Sequence, residues 1–249
     1  MSKIQKMLRN TKQPHIIDLT YSFSDKTIFW PTENGFVFEK GREGYTEKGY
    51  YYCANRFSTP EHGGTHIDAP IHFRKGGRTL DEIPLKNLIG DAILVDVSEK
   101  CSKDKNYQVS AEDFIQWEKA NGKIPKLSII LLKTGFGKFW PDRKKYLGTD
   151  KKGIKAIEKL YFPGLHLDGA KWLIKNRNVK AVGIDTASID YGQSTYFKTH
   201  QELLKNEVLI FENLANLDKL PNKGFNVIAL PIKIKGGSGG PLRIIAVVK

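Results

Sequence analysis

The chain has 249 residues, 40% of them hydrophobic and 11% aromatic, and its 40 Lys and Arg against 27 Asp and Glu give a net charge of +13. That length can bury a sizeable core, and one domain over residues 1–249 is expected. No apolar run approaches the about eighteen residues of a membrane helix, and the basic residues are scattered among acids in pieces such as RKK at 143–145, so neither a membrane nor a nucleic-acid partner is expected.

The opening stretch MSKIQKMLRNTKQPHIIDLTYSF starts basic, but polar residues interrupt it before a signal-peptide core forms. The two cysteines, Cys53 and Cys101, make neither a CxxC pair nor a disulfide framework. A reducing, cytoplasmic setting is the expectation.

Apolar, β-rich runs predict strands at 15–23, 35–40, 50–58, 91–98, 127–136, 179–188, 207–214, 225–234 and 242–249. Between them, SAEDFIQWEKANG predicts a helix with Ser110 as N-cap, Asp113 at the capping-box position and a stop at Gly122. GLHLDGAKWLIKN, at 164–176, predicts a second. Strand clusters early and strand–helix alternation late point to an α/β fold with a single mixed sheet and flanking helices. The GGSGG run at 236–240 lacks the Walker lysine and the spacing of a dinucleotide loop, and reads as a tight turn with Ser238 near a pocket.

The chemistry is concentrated in EHGGTHIDAPIHF, residues 61–73, which holds three of the six histidines. A helical zinc pair is excluded there, because Gly63 and Gly64 lie between His62 and His66 and Pro70 follows closely. An extended 65–69 instead turns His66 and Asp68 to one side, and the two glycines let the chain bend so that His62 returns to them. Two imidazoles and a carboxylate then suit Zn²⁺ or Mn²⁺, with His72 close by as a proton carrier.

The motif His62-x-Gly64-Thr65-His66-x-Asp68-x-Pro70-x-His72 resembles the signature of the family known as putative cyclases, which includes bacterial kynurenine formamidases and isatin hydrolases. IDLTYSFSDKTIFWP, FPGLHLDGAKWL, VGIDTASID and KIKGGSGGPLRIIAVV are similar to further segments of that family in the same order. The resemblance implies a fold of the swivelling β/β/α type and a hydrolase of amide C–N bonds that uses a metal-activated water. His62, His66 and Asp68 match metal ligands, and His72 matches the acid/base.

It further implies a second ion held by Asp68 with a histidine and a glutamate twelve residues apart, matched by His200 and Glu212. Read locally, those two residues are structural: Thr199 to Glu202 forms a capping-box pattern that puts His200 in a first helical turn, and Glu212 sits in a strand. One or two ions therefore stay open. N-formylkynurenine is the leading substrate implied; the alternatives are a cyclic amide or lactone, or a non-catalytic member that binds a metal or ligand. Homo-oligomers, dimers or tetramers, are also implied.

Asp185 and Asp190 read as capping residues at a strand end rather than an acid/base pair. His15 and His166 read as structural, and Trp30 as either a stacking surface for an aromatic substrate or a core residue.

Overall fold

The computed structural model describes residues 15–248. The basic opening stretch up to residue 14, and Lys249 at the end of the last expected strand, lie outside the described residues.

The first half of the chain contributes β1 (His15–Asp18), β2 (Val37–Tyr45), β3 (Tyr51–Ser58), β4 (His66–Asp68), the short helix α1 (Leu85–Leu88), β5 (Ile89–Asp96), α2 (Ser98–Lys103), β6 (Gln108–Val109) and α3 (Ala111–Asn121). The second half contributes β7 (Ile129–Lys133), α4 (Arg143–Leu147), β8 (Gly164–Leu165), α5 (Leu167–Arg177), β9 (Ala181–Ile184), α6 (Lys198–Lys205), β10 (Leu209–Glu212), β11 (Phe225–Pro231) and β12 (Gly239–Val248).

Eight strands make one sheet in the order β1-β12-β11-β5-β7-β9-β10-β4, and β4 pairs back onto β12 to close it into a barrel. The four strands β5, β7, β9 and β10 run parallel, and the closing strands are antiparallel. This is the mixed α/β architecture the sequence predicts.

The continuous apolar runs follow from burial on both faces. Along β5, Ala92 and Leu94 point to the barrel interior with Leu131, Phe211 and Val227, whereas Ile93 and Val95 point outward. The outward face is covered by Phe114 and Trp117 of α3, Leu173 of α5 and Leu203 of α6. The Trp117 indole N–H donates to the Leu94 carbonyl at 2.8 Å and so pins α3 to β5.

The first expected helix forms as read: Asp113 Oδ2 accepts the Ser110 N–H at 2.7 Å, closing the capping box, and the helix ends at Gly122 with φ 88°. The second starts at Leu167 rather than 164, because Gly164 and Leu165 are extended in a small parallel pair with Gln108 and Val109.

Two local expectations need correction. The capping box at Thr199 and Glu202 does not form. The helix begins at Lys198 behind a left-handed Phe197, and the Thr199 hydroxyl donates to the Leu165 carbonyl at 2.8 Å. Several expected strands also overrun: the first stops at Asp18 and the fifth at Lys133. Beyond them the Tyr21 N–H donates to the Thr65 hydroxyl at 2.9 Å and Gly135 turns with φ 79°, so both segments leave the sheet.

Candidate metal centre

Strand register assembles the centre. β4 lies between β10 and β12, and His66 sits directly opposite Glu212, so their side chains are cross-strand neighbours on one face. Asp68, two residues on, shares that face, while Ile67 points into the barrel core. Glu212 is the last residue of a parallel strand, the end at which open α/β sheets place their ligands.

Just before β4 the backbone bends through Gly63 (φ 147°) and Gly64 (φ 55°). This brings His62 Nδ1 to 2.8 Å from Asp68 Oδ1. After β4, Pro70 opens a single 3-10 turn that carries His72 beside His62, the two rings stacked at 3.8 Å. His200, in the first turn of α6, reaches in from the other side, with Nε2 3.1 Å from Glu212 Oε1 and 3.4 Å from Asp68 Oδ2. All six residues expected from the sequence therefore meet at one point.

The hydrogen bonds fix which nitrogen of each imidazole faces inward. His66 Nδ1 donates to the Gly64 carbonyl at 2.9 Å, leaving its Nε2 lone pair toward Asp68 at 3.3 Å and Glu212 at 3.5 Å. His200 Nδ1 donates to Asp190 Oδ2 at 2.7 Å, which likewise aims Nε2 at Glu212 and Asp68. His62 Nε2 lies 2.9 Å from Ser238 Oγ, and Ser238 gives its own proton to the Glu61 carboxylate. The Ser238 hydroxyl must then accept from Nε2, so His62 Nδ1 is a lone pair facing a carboxylate oxygen.

Three imidazole lone pairs thus converge on two buried carboxylates. Acceptor facing acceptor in a dry site is costly unless a cation lies between them. Donor atoms of His62, Asp68 and His72 fall within 4.8 Å of one another, as do those of His66, Asp68 and Glu212. The donor set fits one or two divalent ions that accept nitrogen and oxygen ligands.

Without an ion the cluster draws protons instead. Burial alone would lower His200, but its hydrogen bonds to Asp190, Asp68 and Glu212 hold it well above the ordinary histidine range. His66 is raised in the same way, against burial, by Asp68 and Glu212. Asp68, despite burial, is held well below the usual carboxylate range by His200, His62 and His66. His72 behaves oppositely: burial, reinforced by the neighbouring imidazoles, pushes it down to about 4, so it is neutral at pH 7.

The centre floors a cavity of about 240 Å³ whose walls include Phe29, Trp30, Phe73 and Phe197. Trp30 therefore faces the cavity, edge-on to Phe197 with ring centroids 6.0 Å apart.

Several supporting residues carry little sequence signal. Asp190 caps α6 by accepting the Thr199 and His200 backbone N–H groups, and the same carboxylate orients the His200 ring. Asp185 accepts from Thr134 and Gly135 and is structural. Asn213, with φ 55°, ties the end of β10 to the motif by donating to the Gly64 carbonyl at 2.8 Å. Glu61 and Ser238 are 177 residues apart, and no spacing rule links them. Asn213, next to a strand-end glutamate, is the one such residue whose type hints at a left-handed position.

The family model described as "Putative cyclase" matches residues 17–191, and the chain belongs to this family. It is 30% identical over 213 residues to isatin hydrolase of Roseibium aggregatum, covering 82% of this chain and 78% of that protein. It is 28% identical over 231 residues to kynurenine formamidase of Salinibacter ruber, covering 92% and 96%. The solved structure of isatin hydrolase A from Labrenzia aggregata bound to benzyl benzoate superposes with a TM-score of 0.87 at 28% identity, covering 99% of each chain. These named relatives are hydrolases. Among the described residues no helix is long and apolar enough to cross a membrane.

Proposed function

We propose that the protein hydrolyses the C–N amide bond of a small aromatic substrate at this centre. The observation that carries the reading is the inward convergence of the His62, His66 and His200 lone pairs on Asp68 and Glu212 at the floor of an aromatic cavity. N-formylkynurenine is the leading substrate, in keeping with the formamidase relative. A cyclic amide such as isatin is the second reading, favoured by the similarity to an isatin hydrolase structure over the whole chain.

His62, His66 and Asp68 would hold one divalent ion, and Asp68, His200 and Glu212 a second; Zn²⁺ and Mn²⁺ both suit the donors. When bound, such an ion polarises the carbonyl and lowers the pKa of water enough for attack at neutral pH. The aromatic walls take the substrate ring and keep bulk water from the reacting carbonyl. Water adds to the carbonyl carbon, the C–N bond breaks, and the products are an acid and an amine. His72, neutral at pH 7, takes up the proton released by the attacking water and delivers it to the departing nitrogen. Asp190 holds His200 in orientation, and Ser238 with Glu61 does the same for His62.

Self-association into dimers or tetramers belongs to the same proposal, as does a cytoplasmic setting, which the unpaired Cys53 and Cys101 support.

The deciding experiment compares hydrolysis of N-formylkynurenine and of isatin by protein loaded with Zn²⁺ or Mn²⁺ and by chelator-stripped protein. Metal-dependent turnover of one identifies the substrate class. Turnover of neither, with metal confirmed in the protein, would overturn the reading in favour of a non-catalytic metal-binding member.

A further inference from the structure

Apart from the six residues of the centre, one charged side chain lines the cavity among the described residues, and it is Glu33. No lysine or arginine lines it, although the chain as a whole stands at +13. The two carboxylates of the centre, Asp68 and Glu212, are buried, whereas Glu33 is exposed. Glu33 therefore marks the outer end of the cavity.

Ring contacts give the order from floor to mouth. Phe73 packs on His200 with centroids 4.7 Å apart, Phe197 on Phe73 at 5.7 Å, and Trp30 on Phe197 at 6.0 Å. Glu33 follows one turn after Trp30, its N–H donating to the Trp30 carbonyl at 3.0 Å. That turn is held at three further points. The Ile28 carbonyl accepts the Gly64 N–H at 3.0 Å, the Phe29 carbonyl accepts from the Arg143 guanidinium at 3.0 Å, and the carbonyl of the buried Pro31 accepts the Gly153 N–H at 2.8 Å. No cation among the described residues pairs with the Glu33 carboxylate, so a fixed backbone presents it to whatever occupies the mouth.

We propose that Glu33 is a specificity-determining residue, and that the substrate carries an ammonium group on the end remote from its amide. A carboxylate at the rim of an apolar, aromatic-walled cleft attracts a cation and repels an anion. The aromatic faces act in the same sense, because an ammonium is drawn to their π electrons. The absence of a lysine or arginine from the wall leaves a substrate carboxylate without a partner in the cavity. An aryl amide with an aminoacyl side chain, such as N-formylkynurenine, meets this requirement through its α-ammonium. Isatin has no charged group and leaves Glu33 unused.

The inference rests on the amide-hydrolase reading for the chemistry at the floor, and its test separates the two. The probes are three 2-formamidophenyl ketones whose remote chains end in an ammonium, an acetamide or a carboxylate, together with their deformylated amines. With metal-loaded protein at low salt, KM for the ammonium probe is expected to be about fivefold below that of the acetamide probe, the upper range for an exposed ion pair. Glu33→Gln should bring that ratio close to one, and Glu33→Lys should turn the preference toward the carboxylate probe. A ratio unchanged in Glu33→Gln, or a wild-type preference for the carboxylate, would overturn the assignment.

Calorimetric titration with the deformylated amines reads the same preference without turnover. Selective binding of the ammonium amine that Glu33→Gln abolishes, with no probe hydrolysed, would overturn the hydrolase reading and uphold the cation site. Hydrolysis of all three probes with equal KM and equal amine binding would overturn the cation site alone.

Discussion

His62 Nε2 and Ser238 Oγ, 176 residues apart in sequence, lie 2.9 Å apart, and Ser238 is anchored in turn to Glu61. The chain Glu61–Ser238–His62 sets the tautomer that leaves His62 Nδ1 free for a metal. Ser238→Ala is expected to weaken Zn²⁺ or Mn²⁺ binding by about 10- to 100-fold with the fold intact, the usual cost of losing such a support. Ser238→Thr keeps the hydroxyl and should restore most of the affinity. A competition titration against a chromogenic chelator measures both, and wild-type affinity in the alanine variant would remove Ser238 from the centre.

His72 is as close to Asp68 and His62 as a ligand would be, yet it is also neutral and stacked where a proton carrier is needed. Metal content distinguishes these roles. His72→Ala is expected to keep its metal and lose roughly 10²- to 10⁴-fold in kcat, the range of general acid/base catalysis. Loss of an ion instead, measured by plasma emission on the purified variant, would make His72 a ligand.

Asp68 faces both candidate sites, and Glu212 faces His66 and His200. If two ions bind, Glu212→Ala should lower the stoichiometry from two to one per chain. A wild-type stoichiometry of one would reduce the centre to a single ion and make Glu212 a support.

The pH dependence of stability should differ with and without metal. In the metal-free protein the raised pKa values of His66 and His200 mean the folded state holds protons that the unfolded chain gives up. Their contribution is fully present below the ordinary histidine value of 6.5 and is lost as pH rises through the raised folded values. Asp68, depressed, contributes above its ordinary 3.8 and loses that contribution as pH falls through its lower folded value. Chelated protein should therefore melt lower as pH rises above about 6.5, and metal should restore Tm there while releasing protons. Thermal melts with calorimetry in buffers of different ionisation enthalpy test this; metal uptake without proton release would contradict it.

Gly63 is required by space as well as by backbone angle. A Cβ there would stand 2.0 Å from the Phe29 ring, at φ 147°. Gly63→Ala should cost about 1–3 kcal/mol by overpacking and strain and push Phe29 out of the cavity wall. Denaturant unfolding beside KM for the aromatic substrate would register both effects, and an unchanged KM would show that Phe29 moves without consequence for binding.

The sequence by itself determined the alternation of β-rich runs and helices, the capping box at Ser110 and the chemistry of residues 62–72, because these depend on near neighbours and on the two-residue and helical periods. Extended backbone at 66–68 and bending at Gly63 and Gly64 could be read from the motif, since proline and glycine restrict or widen backbone choice on their own. His200 and Glu212 were visible only through the resemblance to a family. Locally they look like a helix residue and a strand residue.

Only the tertiary structure decided that Glu212 stands opposite His66, that Asp190 turns His200, and that Ser238 turns His62. Each pairing depends on strand register or on a contact between distant segments, which no short-range pattern encodes. The same holds for the hairpin at 37–58. Its strands are legible, but their exposure follows from the barrel closing through β12 and leaving them outside, a consequence of the whole sheet and not of their own residues.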